Sequence, residues 1–155
     1  MTDLKNGIIE INGFSIGPDT KVEELEKYFD IPARRDDSFS FFDFNKEIIM
    51  LNGIDFKLLI SFDLEKISSI KLWPQIPEIS NKYNLSPYSE EWLPYFKELR
   101  LILDEWLEKQ LGLPSHKDDD CTEFKFEKMI IGTSSYMQYG KTIQPKGGKI
   151  DIWYV

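Results

Sequence analysis

The sequence predicts an α+β fold, two helices packed on one face of a mostly antiparallel sheet, from three observations. The first is an internal repeat: the pattern of residues 25–49 returns 82 positions later at 107–131, with 11 of 25 residues identical and no gap. Leu25-Glu26-Lys27, Pro32, Asp36-Asp37, Phe42, Phe44, Lys46 and Ile48-Ile49 recur as Leu107-Glu108-Lys109, Pro114, Asp118-Asp119, Phe124, Phe126, Lys128 and Ile130-Ile131. Each copy reads as a helix end, a proline stop, an acidic loop and an alternating apolar strand. The second is a set of short apolar runs joined by Asn-Gly, the dipeptide that suits tight hairpins between antiparallel strands. The third is a pair of one-sided apolar stripes at helical spacing, which need a sheet to cover them.

In chain order, Ile8, Ile9 and Ile11 precede Asn12-Gly13, and Phe14 and Ile16 follow, so the chain opens with a hairpin. Gly17-Pro18 ends it. Thr20-x-x-Glu23 is a capping-box pattern before Val22, Leu25, Tyr28 and Phe29, which predicts a helix over 20–29. Residues 30–38 form a polar loop. Phe39, Phe41, Phe42 and Phe44 start an aromatic strand, 47–51 a second, and Asn52-Gly53 turns into a third over 54–62. Ile67, Ile70, Leu72 and Trp73 give one more strand, ended by Pro74 and Pro77. Three prolines and several Asn and Ser residues in 74–87 mark a connection between two repeat units of one domain, about 1–73 and 88–155. Ser89-Glu90-Glu91 caps the longest helix, about 90–111, whose stripe runs Trp92, Leu93, Phe96, Leu99, Ile102, Leu103, Trp106, Leu107 and Leu111. Gly112 and Pro114 stop it. A strand over 124–131 follows, then 132–146 as an insertion, and Gly147-Gly148 turns into a last strand over 149–155.

Composition narrows the roles. Apolar residues at 41 %, with 11 Phe, 7 Tyr and 4 Trp, describe a chain that folds by itself. A net charge of −8 repels nucleic-acid backbones and anionic membranes and is complementary to a basic protein. No apolar run approaches the ~18 residues of a spanning helix. A lone Cys121 and a polar start (Met1-Thr2-Asp3) point to a cytoplasmic protein without disulfides.

No residue pattern spells out a reaction. His116 is the only histidine, so any triad or imidazole base would have to use it. His116 and Cys121 flank Asp118, Asp119 and Asp120, yet their spacing matches no zinc signature, and the aspartates lack the register of a calcium loop; neither metal nor cofactor is expected. Pro145-Lys146-Gly147-Gly148-Lys149 precedes a strand rather than opening a helix, and reads as a hairpin turn instead of a phosphate cradle. The aromatics Trp73, Tyr83, Tyr88, Tyr136 and Tyr139 lie in or beside the connection and the insertion, outside the helix stripe. Aromatics there, beside acidic groups, suit a protein-binding surface.

The segment Ile16-Gly17-Pro18-Asp19-Thr20-Lys21-Val22-Glu23-Glu24-Leu25 is similar to the I-G-x-T-x-x-E-L helix start of β-lactamase inhibitory proteins and related outer-membrane assembly lipoproteins. Helix followed by antiparallel strands, given twice, resembles their tandem architecture, although this chain has no lipobox cysteine and no disulfide pair. Its size, acidity and α+β character also resemble the immunity proteins that neutralise bacterial nuclease toxins. That resemblance implies a non-catalytic inhibitor covering the active site of a basic toxin. Asp36, Asp37, Asp118, Asp119 and Asp120 would steer association, with Trp73, Tyr136 or Tyr139 as anchors. Two alternatives stand beside it: a small-ligand binder or enzyme with a pocket between sheet and helices, and a scaffold module.

Overall fold

The structure, a computed structural model, describes residues 2–44, 48–138 and 144–155, and side chains outside 136–146. It is α+β. After a 3₁₀ turn at Leu4–Asn6 come the hairpin β1 (Ile9–Ile11) and β2 (Phe14–Ile16), helix α1 (Val22–Phe29), then β3 (Arg34–Asp36), β4 (Phe39–Asp43), β5 (Ile49–Leu51), β6 (Ile54–Asp63) and β7 (Lys66–Pro74). The short α2 (Pro77–Ser80) lies inside the expected connection. The long α3 (Trp92–Leu111) leads to β8 (His116–Lys117), β9 (Cys121–Lys125), β10 (Met129–Gln138) and β11 (Gln144–Tyr154).

The repeat is written into the sheet. Its strand order is β3-β4-β6-β7-β11-β10-β9-β8, antiparallel at each step, with β5 added alongside β6. Each half is thus a helix followed by a meander, and the halves meet where β7 pairs β11. One row of partners runs from β4 to β9: Phe42, Ile60, Ile70, Ile152, Ile131, Phe124. The row is its own mirror in residue type, and all six side chains are buried on the helix side. At ~1.5–3 kcal/mol per buried side chain, this row holds the two halves as one core. The alternation along β6 and β7, buried then half-buried, leaves the opposite face of the sheet more open. Trp73, Leu59, Lys71 and Trp153 lie on that face by parity.

Several expectations shift. The capping box moves one residue on: the Lys21 N–H donates to Glu24 Oε2 at 2.9 Å, while Thr20 Oγ1 accepts from the Gly17 N–H at 2.9 Å. Thr20 closes the preceding turn, so the helix begins at Val22. The polar loop 30–38 contains β3. The extra segment belongs to the first half, as the β5–β6 hairpin, whose Asn52 and Gly53 take φ of 44° and 87°. Register therefore sets Ile60, not Ile49, in the place of Ile131. The expected insertion 132–146 supplies the long strands β10 and β11. Its Gly147-Gly148 is no turn but a β-bulge within β11, where the β10 pairing shifts between Thr133 and Ser135. A Cβ on Gly148 would fall 2.4 Å from Phe96 Cδ1, so glycine there lets α3 approach the sheet.

Candidate functional site

Helix α3 carries two polar residues on its buried face. Arg100 and Asp104 stand one turn apart among Phe96, Leu99, Leu103 and Leu107, 6 % and 3 % exposed. Burial of two charges is costly unless their lone pairs and protons are satisfied. The Asp104 carboxylate accepts from the Thr122 hydroxyl at 2.7 Å and the Thr133 hydroxyl at 2.5 Å, and its Oδ2 lies 3.5 Å from Arg100 Nε and 3.6 Å from Lys117 Nζ. Arg100 donates to the backbone carbonyls of Asp118 at 2.5 Å and Asp119 at 2.6 Å, to Thr122 Oγ1 at 3.0 Å and to Ser135 Oγ at 3.3 Å. At the repeat's offset of 82, carried three residues upstream, Val22 stands at the position of Asp104, and within the repeat Ser40 stands at that of Thr122, so this polar centre is particular to the second half.

Its consequence is a fixed hairpin. Arg100 clamps the β8–β9 turn by two carbonyls, and the Ser135 N–H adds a bond to the Asp120 carbonyl at 2.9 Å. Asp118 Oδ1 accepts from the N–H groups of Asp120 and Cys121, both at 2.8 Å, and its Oδ2 lies 2.8 Å from His116 Nε2. The Cys121 N–H, the His116 ring and the Asp120 N–H, in that order, hold the Asp118 carboxyl well below the usual carboxylate range. Asp119 and Asp120 sit exposed at the tip.

The sequence-expected partner residues divide between two ends of the sheet. Trp73 near the end of β7, Gly147 on β11, Ser135 on β10 and Cys121 on β9 lie toward one end, so Trp73 shares it with Asp118, Asp119 and Asp120. Trp73 is half-buried. Tyr136 has its backbone here, paired with Lys146 in β10–β11, and its side chain is not among those described; Tyr139 lies outside the described residues. Asp36 and Asp37 are exposed at the β3–β4 turn, on the opposite edge and toward the opposite end. Eight strands at ~4.8 Å separate the two edges by on the order of 30 Å, so the two acidic tips do not form one patch. Tyr83 and Tyr95 join Trp92, Phe96 and Ile79 in a small aromatic cluster at the start of α3, and the Tyr83 hydroxyl donates to Glu98. Tyr88 is exposed.

Sequence reasoning missed Arg100, Asp104, Thr122, Thr133 and Ser135. The signal was a polar pair at i and i+4 inside an apolar stripe, which the stripe's apolar members hid. His116 and Cys121, expected to flank the aspartates as a surface cluster, do so: the hairpin gathers His116, Asp118 and Cys121 with one ligand atom of each within 4.8 Å of the others.

Between helices and sheet, Leu25, Leu103, Leu107 and Leu111 pack into one buried cluster with the core row. A cleft of about 340 Å³ lies elsewhere, lined by Lys5, Phe126, Glu127, Lys128, Met129 and Tyr154 among others. Among the described residues no helix is long and apolar enough to cross a membrane. No protein-family model, curated protein or solved structure matches this chain.

Proposed function

We propose that the chain is a non-catalytic protein-binding inhibitor, in the manner of a toxin-immunity protein, that occludes a basic site on its partner. The end of the sheet carrying Asp118, Asp119 and Asp120 makes the contact. The observation that carries this reading is the clamp: a buried arginine spends its donors on the backbone of an acidic turn. The turn is thereby preorganised and the exposed Asp119 and Asp120 side chains are left to the surface. Preorganised carboxylates steer a basic partner and lose little entropy on binding. Trp73 offers an aromatic anchor at the same end, and the net charge of −8 extends the steering field. Asp36 and Asp37, at the far corner, contribute to the long-range field and not to the contact.

The test is affinity capture from a lysate of the producing cell, eluted by a salt gradient, with the Asp119→Lys/Asp120→Lys variant run in parallel. One basic protein retained by the wild type, released at moderate salt and lost by the variant supports the reading. Equal retention by both proteins refutes it.

A further inference from the structure

We propose that the β8–β9 hairpin is a transition-metal site in which His116 Nε2, one carboxylate oxygen of Asp118 and Cys121 Sγ bind a single Zn²⁺-like cation, leaving a position open to water or to a donor from outside the chain. The proposal is independent of the partner reading.

A six-residue span holds three ligand types, imidazole, carboxylate and thiol, and that mixture suits a borderline-soft ion such as Zn²⁺ rather than Mg²⁺ or Ca²⁺. The ligand atoms lie within 4.8 Å of one another. A tetrahedral ion with bonds of ~2.0–2.3 Å needs separations of about 3.3–3.8 Å, so the half-buried Cys121 Sγ rotates inward by up to about 1 Å while the exposed His116 Nε2 and Asp118 Oδ2, 2.8 Å apart, separate by about half an ångström. The backbone that carries them is already fixed. Asp118 Oδ1 is held by two N–H groups, which aims Oδ2 at the imidazole, and the Arg100 clamp immobilises the turn behind it. Such outer contacts orient first ligands and strengthen metal binding. Glu123, opposite His116 in the β8–β9 register, adds negative charge beside the set. The first repeat has Arg34 and Phe39 at the positions of His116 and Cys121, so only the second hairpin has the donors. Coordination forms a metal–sulfur bond and releases the thiol proton to solvent, the His116 ring proton that faces Asp118 Oδ2 moves to Nδ1 so that Nε2 can ligate, and no oxidation state changes.

The experiment titrates tag-free protein under reducing conditions with Co²⁺, then displaces it with Zn²⁺. The expected result is a thiolate-to-cobalt absorption band that saturates at one ion per chain, is bleached by Zn²⁺ and is untouched by excess Mg²⁺ or Ca²⁺. Cys121→Ser abolishes the band, and His116→Gln weakens Zn²⁺ binding about tenfold or more by calorimetry. His116 is exposed and serine nearly keeps the size of the half-buried Cys121, so these variants keep the wild-type melting curve, and Asp36→Asn at the other hairpin binds as wild type. Co²⁺ bound without a thiolate band, Zn²⁺ affinity unchanged in Cys121→Ser, or saturation at one ion per two chains would each overturn the site.

Discussion

Replacing Asp104 by valine, the residue the first repeat carries at that position, tests the polar centre most sharply. The carboxylate is 3 % exposed, accepts from two threonine hydroxyls and faces the guanidinium of a buried arginine. Its removal strands Arg100 without a countercharge and leaves Thr122 and Thr133 without their acceptor. Breaking a buried pair from one side costs about 3–5 kcal/mol, because the surviving charge stays desolvated. In a chain of 155 residues, at ~2–4 °C per kcal/mol, the melting temperature falls by about 6–20 °C. Adding Arg100→Met removes the stranded charge, and an apolar replacement of a buried pair is near neutral, so the double variant regains at least about half of the loss. The double variant also frees the Asp118 and Asp119 carbonyls, so amide exchange rises locally over 118–121 while the sheet centre stays protected. Urea unfolding gives the stabilities and hydrogen exchange the local effect. A single variant within about 1 kcal/mol of wild type, or a double variant that loses the sum of both single losses, would refute this account of the centre.

Two further predictions concern the frame. Burial pushes the Tyr154 phenol well above its ordinary range, and its hydroxyl donates to the Gly7 carbonyl at 2.6 Å. A raised folded pKa of this kind contributes stability that is whole below the unfolded value near 10 and is lost as pH rises through the folded value. Tyr154→Phe costs about 1 kcal/mol at neutral pH and flattens the alkaline fall in stability above pH ~10, read by denaturant unfolding at a series of pH values. Gly148→Ala combines a φ of 64° with a clash against Phe96, whereas Gly53→Ala, at φ 87°, meets nothing within 4 Å. Gly53→Ala therefore costs about 1–2 kcal/mol and Gly148→Ala clearly more in the same unfolding assay; equal costs would show that α3 does not rest on the bulge.

The fold was legible because its determinants are local and repeated. Phe42 and Phe124, or Leu25 and Leu107, announce equal environments, and Asn52-Gly53 names its turn. β3 and β8 were not legible: Arg34-Arg35-Asp36 and His116-Lys117 carry no apolar alternation, and they pair only because β4 and β9 offer free edges. Gly147-Gly148 looked like a turn because local chemistry cannot distinguish a turn from a bulge whose need for glycine comes from Phe96, some fifty residues away. The separation of Asp36 and Asp37 from the other acidic tip was similarly out of reach. The acidic motif repeats in sequence, and a two-fold arrangement of repeats sends its copies to opposite corners.

If, as proposed, a rigid acidic turn steers a basic protein onto one end of the sheet, the charge of that turn sets the association rate. The direct measurement is the association rate of wild type and Asp119→Lys/Asp120→Lys with the captured partner, by stopped flow, across a series of ionic strengths. The expected result is a wild-type rate that falls steeply with salt, a variant rate lower by about tenfold or more at low salt, and convergence of the two at high salt. Association that is indifferent to salt, or equal for the two proteins at low salt, would contradict it.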